Sequence, residues 1–309
     1  MLPPEKIVQQ LRDAGSLWEV APGLTGLRGP VVSLLQKLER ALATLARAEA
    51  EDEWRAPAGV SFETLERAQY FASFPQWLTA ASHLSGDDSA LDEIASSAAP
   101  GAAARAALEP ADAALPPAVC YNTYAAHADS TIDAPVLMTA QGTCWRHEGA
   151  RLAPLERAWA FTMREIVCLG TAGDVKELLD RAVERTASLA RDLGLETEVV
   201  AASDPFFAPT ARGRAALQRI KGLKQELVFR FPDGRPLAIA SFNDHELFFG
   251  DAFAISLPDG QPASSGCVAF GLERWLLAVL VTHGLEPAGW PSVGAGEESL
   301  SSCPGGLAR

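Results

Sequence analysis

Trp145-Arg-His-Glu-Gly-Ala-Arg-Leu-Ala-Pro-Leu-Glu-Arg-Ala-Trp-Ala-Phe-Thr-Met-Arg-Glu165 is the stretch on which the fold turns. It contains Arg146-x-Glu148, a turn with Gly149 and Pro154, and then Arg157-x-x-x-Phe161-x-x-x-Glu165. The second half resembles a helix at first sight. Two antiparallel strands joined by a loop suit it as well, because even spacing then puts Arg157, Phe161 and Glu165 on one strand face and Arg146 and Glu148 on one face of the partner. Such a surface is shaped for a nucleotide. Adenine requires an aromatic plate and an edge acceptor, and a triphosphate requires fixed cations, for which the planar fork of arginine is well suited. The alternative is an ordinary amphipathic hairpin with surface ion pairs.

A second element lies about a hundred residues further on. In Gly266-Cys-Val-Ala-Phe-Gly-Leu-Glu-Arg274 a strand meets a glycine and passes into an apolar helix that carries an arginine at its start. Taken singly, this string could be no more than a helix opening. Together, the two elements resemble motifs 2 and 3 of class II aminoacyl-tRNA synthetases. Their surroundings look like the atypical archaeal seryl branch, and most of all like its truncated relatives, the bacterial amino acid:[carrier protein] ligases. The segments that carry this likeness are Cys120-Tyr-Asn-Thr-Tyr, the motif 2 block, Asp204-Pro-Phe-Phe, Leu217-Gln-Arg-Ile-Lys-Gly-Leu-Lys-Gln-Glu-Leu227, Ser241-Phe-Asn-Asp-His-Glu and Gly266 to Trp275. The likeness covers residues 116–291.

The resemblance implies an α+β fold, a mainly antiparallel sheet flanked by helices, and a homodimer. It implies ATP-dependent activation of a small amino acid, glycine or alanine, as the aminoacyl-adenylate. Arg146 would hold the α-phosphate and the attacking carboxylate, Glu148 the adenine edge, Arg157 and Arg274 the outer phosphates, and Phe161 would stack on the base. Zn²⁺ would be held by Cys120, Glu165 and Cys267, whose 45- and 102-residue separations exclude a compact knuckle, so the site would be assembled from three strands. Three protein ligands leave a tetrahedral position open, as in catalytic zinc sites. Two buried thiols and half of an ion pair are the plain alternative. Seryl enzymes carry a metal-binding acid just ahead of Ser-x-Asn, whereas Leu237-Ala-Ile-Ala-Ser-Phe-Asn243 has none, which leaves the Mg²⁺ ligands open.

In this family the acceptor is the phosphopantetheine thiol of a small carrier protein. A helix expected over 210–227 carries Arg212, Arg214, Arg219, Lys221 and Lys224 before its first acid, Glu226. In a chain of net charge −13 so local a basic stripe could steer an acidic carrier helix, or could be only a solvated face. The acidity (pI near 4.9) disfavours direct RNA binding, since non-specific affinity for a phosphate backbone comes from Lys and Arg. A tRNA-charging seryl enzyme is therefore the lesser alternative. A catalytically silent paralogue would be expected to have lost ATP-contact positions, and these stand in place.

The 309 residues are 48% hydrophobic, enough for the core of one large or two modest domains. No apolar run approaches a membrane span and the N-terminus lacks a secretory pattern, so a cytoplasmic protein is expected. The five cysteines (Cys120, Cys144, Cys168, Cys267, Cys303) do not resemble a secreted disulfide framework. Residues 1–115 are expected to be an N-terminal helical, dimer-forming region. Within it, apolar periodicity from Lys6 to Glu51 includes Val31, Leu34, Leu35, Leu38, Leu42 and Leu45, and residues 85–115 read as a surface excursion. Residues 116–291 form the catalytic core. It begins with β-type runs, one of them starting at Val119-Cys120. A helix is opened by Asp174 with Glu177 and stopped near Gly194, Asp233-Gly234 makes a hairpin, and a helix spans Leu272 to His283. Residues 292–309 read as a disordered tail.

Overall fold

A computed structural model of the chain describes residues 1–50, 52–133, 135–207 and 218–292. The expected tail lies outside them, apart from its first residue. The expected N-terminal helical stretch is two helices, α1 (Pro4–Asp13) and α2 (Pro30–Arg47), separated by a hairpin of β1 (Leu17–Ala21) and β2 (Leu24–Leu27). The break comes at Gly15, whose φ of 63° lets the Ser16 amide turn back onto Leu11. Of the six positions picked out by the periodicity, helix α2 buries Val31, Leu34, Leu38 and Leu42, while Leu35 and Leu45 are partly buried against the same core.

The centre of the molecule is a seven-stranded sheet of order β3-β7-β8-β12-β11-β10-β9. Its members are β3 (Asp52–Trp54), β7 (Val136–Trp145), β8 (Ala160–Gly170), β9 (Thr197–Ala201), β10 (Lys224–Arg230), β11 (Pro236–Asp244) and β12 (Ser264–Gly271). Every pairing is antiparallel except β3 with β7, so the mainly antiparallel sheet is borne out. Period-two alternation sorts the side chains. Ile166, Cys168, Leu227, Phe229, Phe242, Val268 and Phe270 enter one core with α1, α2, α8 (Ala172–Asp192) and α10 (Leu272–His283). Met138, Met163, Val167, Cys267 and Ala269 face the other side. Helix α8 is opened by a Thr171–Asp174 capping box, three residues ahead of the expected start, and α10 spans the expected residues. The Asp233-Gly234 hairpin joins β10 to β11 as expected, with Gly234 at φ 83°.

The second face is covered by short elements: α3 (Phe62–Arg67), α4 (Tyr70–Ser73), α7 (Cys120–Ala126), α9 (Phe248–Phe253) and a small sheet of order β4-β6-β5. Its strands are β4 (Val60–Ser61), β5 (Thr79–Ala81) and β6 (Ala113–Leu115). Within residues 85–115, α5 (Asp88–Ser96) and α6 (Pro100–Ala106) are helical with no buried residue. Alanine's helix propensity suffices where no core demands otherwise.

Four local expectations are corrected. Cys120-Tyr-Asn-Thr-Tyr opens a helix, not a strand, because Tyr121 and Tyr124, three apart, both turn inward. The helix expected over 210–227 does not extend through its end. One helical turn at 218–221 stops at Gly222 (φ 68°), and Lys224 begins β10, where Leu227 and Phe229 alternate with Glu226 and Val228. Residues 208–217, including Arg212 and Arg214, lie outside the described part. Arg146, Glu148 and Arg157 sit in the loop between β7 and β8, so only Phe161 and Glu165 share a strand face. The three-strand metal site thereby becomes one helix start and two strands.

Candidate active site

The sheet's second face and the elements over it enclose a cleft of about 1130 Å³. Cross-strand register fixes its floor. One row runs Glu226, Ser241, Ala269, Glu165 and Ala140, and the next runs Lys224, Asn243, Cys267, Val167 and Met138. Gly266 keeps this floor close to α8, since a Cβ there would stand 2.6 Å from Val175 Cγ1.

At the base of the cleft Cys120, Glu165 and Cys267 converge, all buried, with one ligand atom of each within 4.8 Å of the others. Among the described residues this is the cluster able to hold a metal ion. Glu165 is anchored by α7, whose Cys120 N–H donates to its Oε2 at 2.6 Å. Asn243 Nδ2 lies 3.4 Å from Cys267 Sγ, and His245 Nε2 lies 3.8 Å from it on the other side. The three acids crowd one another. Cys120 donates its proton to Cys267, which raises the first thiol well above its usual range, with burial and the Glu165 charge adding to this. The same bond, aided by His245 and Asn243 against the effect of burial, holds Cys267 far below its usual range. Burial, and then the Cys267 charge, push Glu165 up to about 8 despite amide donors and Arg146. Cys120 and Glu165 thus keep their protons beside a Cys267 thiolate until a cation replaces them, which fits a soft divalent ion taking two thiolates and a carboxylate.

A pH dependence follows. In the metal-free chain Glu165 titrates at about 8 instead of its usual 4.5, so the folded state holds a proton that the unfolded state releases. The resulting stability is complete below about pH 4.5 and is lost as pH rises through about 8. Thermal melts of metal-free protein should show Tm falling across that window, and Glu165→Gln should flatten the slope. A slope unaffected by that change would mean that other groups set it.

The nucleotide-type residues occupy the cleft's other end. Arg146 donates through Nε to the Pro117 carbonyl at 2.9 Å, and its guanidinium lies over the rings of Trp77 and Phe161, 5.4 and 5.5 Å from their centroids. Arg157 is paired with Glu148. Arg274, at the start of α10, donates to the carbonyls of Glu156 (2.8 Å) and Ala238 (3.0 Å). Burial, then Arg146 and Arg157, lower its pKa, which marks a concentration of positive charge suited to an anion.

All eight residues expected to handle metal and nucleotide thus line one cleft. Of the expected docking cations, Arg219, Lys221 and Lys224 fall among the described residues, and Arg212 and Arg214 outside them. Lys224 lies inside the cleft, bound to Asp204 at 2.5 Å, because its strand position points it there, so it is withdrawn from the carrier-docking set. Burial opposes the charged form of Asp204, but Lys224 and Gln218 outweigh it and hold the carboxylate below its usual range. Arg219 and Lys221 stand on the 218–221 turn, where Lys221 pairs with Glu246. Sequence reasoning missed the wall formed by Tyr70, Phe74 and Trp77, in which Phe74 stacks on Trp77 (5.4 Å) and on Phe206 (5.1 Å). Its signal was the dense aromatic run Tyr70-Phe-Ala-Ser-Phe-Pro-Gln-Trp77.

No protein-family model matches the chain. Among curated proteins it is similar to amino acid–[acyl-carrier-protein] ligase 1 of Bradyrhizobium diazoefficiens, 35% identical over 263 residues, covering 84% of this chain and 80% of that protein. Ligase 2 of the same organism is 34% identical over 292 residues, covering 94% and 86%. Among solved structures the chain superposes on one in the crystal structure of A. aeolicus tRNASec in complex with M. kandleri SerRS. The TM-score is 0.84 with 23% identity, covering 93% of this chain and 59% of that one. The α+β architecture, a largely antiparallel sheet flanked by helices, is that of the class II synthetases.

Proposed function

The chain belongs to the amino acid:[acyl-carrier-protein] ligase family, and on that footing we propose that it activates glycine or alanine with ATP and passes the aminoacyl group to the phosphopantetheine thiol of a carrier protein. The observation that carries this is the single cleft into which Cys120, Glu165 and Cys267 project at one end and Arg146, Glu148, Arg157, Phe161 and Arg274 at the other.

The triad would hold Zn²⁺. When bound, zinc supplies a Lewis-acidic position that selects the neutral form of the substrate's α-amino group. The substrate carboxylate then points toward Arg146. That carboxylate is already a nucleophile, so the first step needs orientation and charge neutralisation more than a general base. One carboxylate oxygen bonds to the α-phosphorus while the bond to pyrophosphate breaks. Phe161 receives the base, Glu148 its amino edge, and Arg157 and Arg274 the outer phosphates. The Glu148–Arg157 ion pair would exchange its contact for those with the nucleotide. Mg²⁺ would arrive on the triphosphate, with Glu226, cross-strand from Ser241, supplying the carboxylate that β11 lacks.

For the carrier we keep Arg219 and Lys221, beside the exposed Ile220 and Leu247, with Arg212 and Arg214 in the preceding segment. A homodimer, a cytoplasmic setting and independence from tRNA complete the proposal, the last in keeping with the charge of −13. No helix among the described residues is long and apolar enough to cross a membrane.

ATP–pyrophosphate exchange in the presence of zinc, scanned across amino acids, tests the first step. Exchange with glycine or alanine is expected. Its absence with every small amino acid would overturn the assignment, and transfer of label to tRNA instead of a phosphopantetheinylated carrier would redirect it.

A further inference from the structure

His245 stands just past β11, whose last residue is Asp244, and its backbone is fixed on both sides. Its N–H donates to the Ser265 carbonyl at 2.9 Å and its carbonyl accepts from the Phe248 N–H at 3.1 Å, with the chain turning through Glu246 in the left-handed region at φ 51°. The ring is held edge-on to Phe249 at 4.8 Å, and Phe249 in turn stacks on the fully buried Tyr124 at 4.0 Å. Both ring nitrogens have partners. Nε2 faces Cys267 Sγ at 3.8 Å, and Nδ1 faces the Tyr124 hydroxyl at 3.3 Å.

His245 is not itself one of the metal-holding set. Among the described residues, the ligand atoms that lie within 4.8 Å of one another are those of Cys120, Glu165 and Cys267. The imidazole reaches the site through one sulfur. A metal-bound cysteine is a thiolate, which accepts hydrogen bonds and donates none. Nε2 must then carry the ring proton. A neutral imidazole has one N–H, so Nδ1 is the acceptor and Tyr124 Oη–H its donor. The need for such a donor follows from charge. Two thiolates and a carboxylate bring three negative charges to a divalent ion, and the surplus is buried, with Cys267 4% and Glu165 2% exposed. A buried charge without hydrogen-bond donors is costly, and Nε2–H and Asn243 Nδ2–H supply two on the same sulfur.

Resting on the zinc triad proposed above, we propose that His245 is a positioning residue: Tyr124 Oη–H donates to Nδ1 and so fixes the tautomer that presents Nε2–H to the Cys267 thiolate. Tyr124 acts through His245, and His245 acts through Cys267.

Zinc affinity reads this without any turnover. In competition with a chromophoric chelator, His245→Ala should bind Zn²⁺ about ten- to a hundredfold more weakly than the unchanged chain, the scale of losing a ligand's supporting contact. His245→Gln, whose amide N–H reaches to about the position of Nε2, should recover most of that loss. Tyr124→Phe keeps the ring stack. It should weaken binding beside His245 but not beside His245→Gln, because an amide has no tautomer to fix. The imidazole ¹⁵N spectrum of zinc-loaded protein, with the His245 signals identified by their absence from His245→Gln, should show Nε2 protonated and Nδ1 bare. Melts of the metal-free variants show that each is folded, and if His245→Ala is not, the Tyr124→Phe comparison and the spectrum still decide. Unchanged zinc affinity in His245→Ala, an equal loss from Tyr124→Phe in both backgrounds, or a protonated Nδ1 overturns the role and leaves the triad standing. An unchanged chain that takes up no zinc removes the triad and this role together, while ATP–pyrophosphate exchange still judges the ligase function.

Discussion

Cys267→Ser is expected to give a folded protein without stoichiometric zinc, whose ATP–pyrophosphate exchange is slower by at least about a hundredfold, beyond the loss typical of disturbing a ligand's supporting contacts. The side chain is 4% exposed and lies on β12, between Val167 and Asn243 in the cross-strand row. Serine is nearly isosteric there, and Asn243 Nδ2 can donate to its oxygen as it now does toward the sulfur. The fold should therefore survive. What changes is donor softness: a neutral hydroxyl is a poor ligand for an ion that favours thiolate, and the remaining thiol and carboxylate cannot close the site. Cys168→Ala is the matched control, because that thiol enters the opposite core among α8 and β8 side chains. It should leave both zinc content and exchange intact. Elemental analysis of purified, folded protein checks the metal, and full zinc occupancy in Cys267→Ser would remove the triad from the site.

Much of this cleft was legible in the sequence, and the misses share a cause. Even spacing puts Phe161 and Glu165 on one strand face, and β8 bears this out because period two is a property of the backbone. Arg157 shared that spacing yet sits in a loop, where a bridge between Ala153 and Arg157 closes a tight turn. Spacing within a strand predicts a face, but it cannot say where the strand begins. Cys120 reads as a strand residue because the aromatic and β-branched content around it suits either state. Only the inward turn of both Tyr121 and Tyr124, three residues apart, decides for a helix, and that requires knowing what lies beneath them. Charge pattern and the family resemblance together group Lys224 with the basic residues of 210–227. Asp204, twenty residues away, draws it inside, a pairing set by tertiary contact. The wall from Tyr70 to Trp77 comes from the same limit, since nothing local states which partner an aromatic run will face.

Arg146→Ala is expected to lower exchange kcat by about a hundred- to a thousandfold, the range for removing a preorganised donor from developing charge, while KM for ATP changes by much less. The split follows from the geometry. Arg157, Arg274 and Phe161 would still hold the outer phosphates and the base, so ground-state nucleotide binding keeps most of its contacts. Arg146 lies in the same cleft as the metal triad, its charge felt by Glu165, tied to the Pro117 carbonyl and packed over the rings of Trp77 and Phe161. Those rings and that carbonyl orient the guanidinium before substrate arrives, which makes its stabilisation of the attacking carboxylate and the α-phosphate immediate. Arg146→Lys should recover little. A lysine keeps the charge but has no planar fork to reach both anions, and it loses the packing over two rings. Steady-state exchange for both variants, with melts to show that each is folded, is the measurement. A lysine variant within about tenfold of the unchanged chain would mean that charge alone suffices at this position, and the bridging role assigned to the guanidinium would fall.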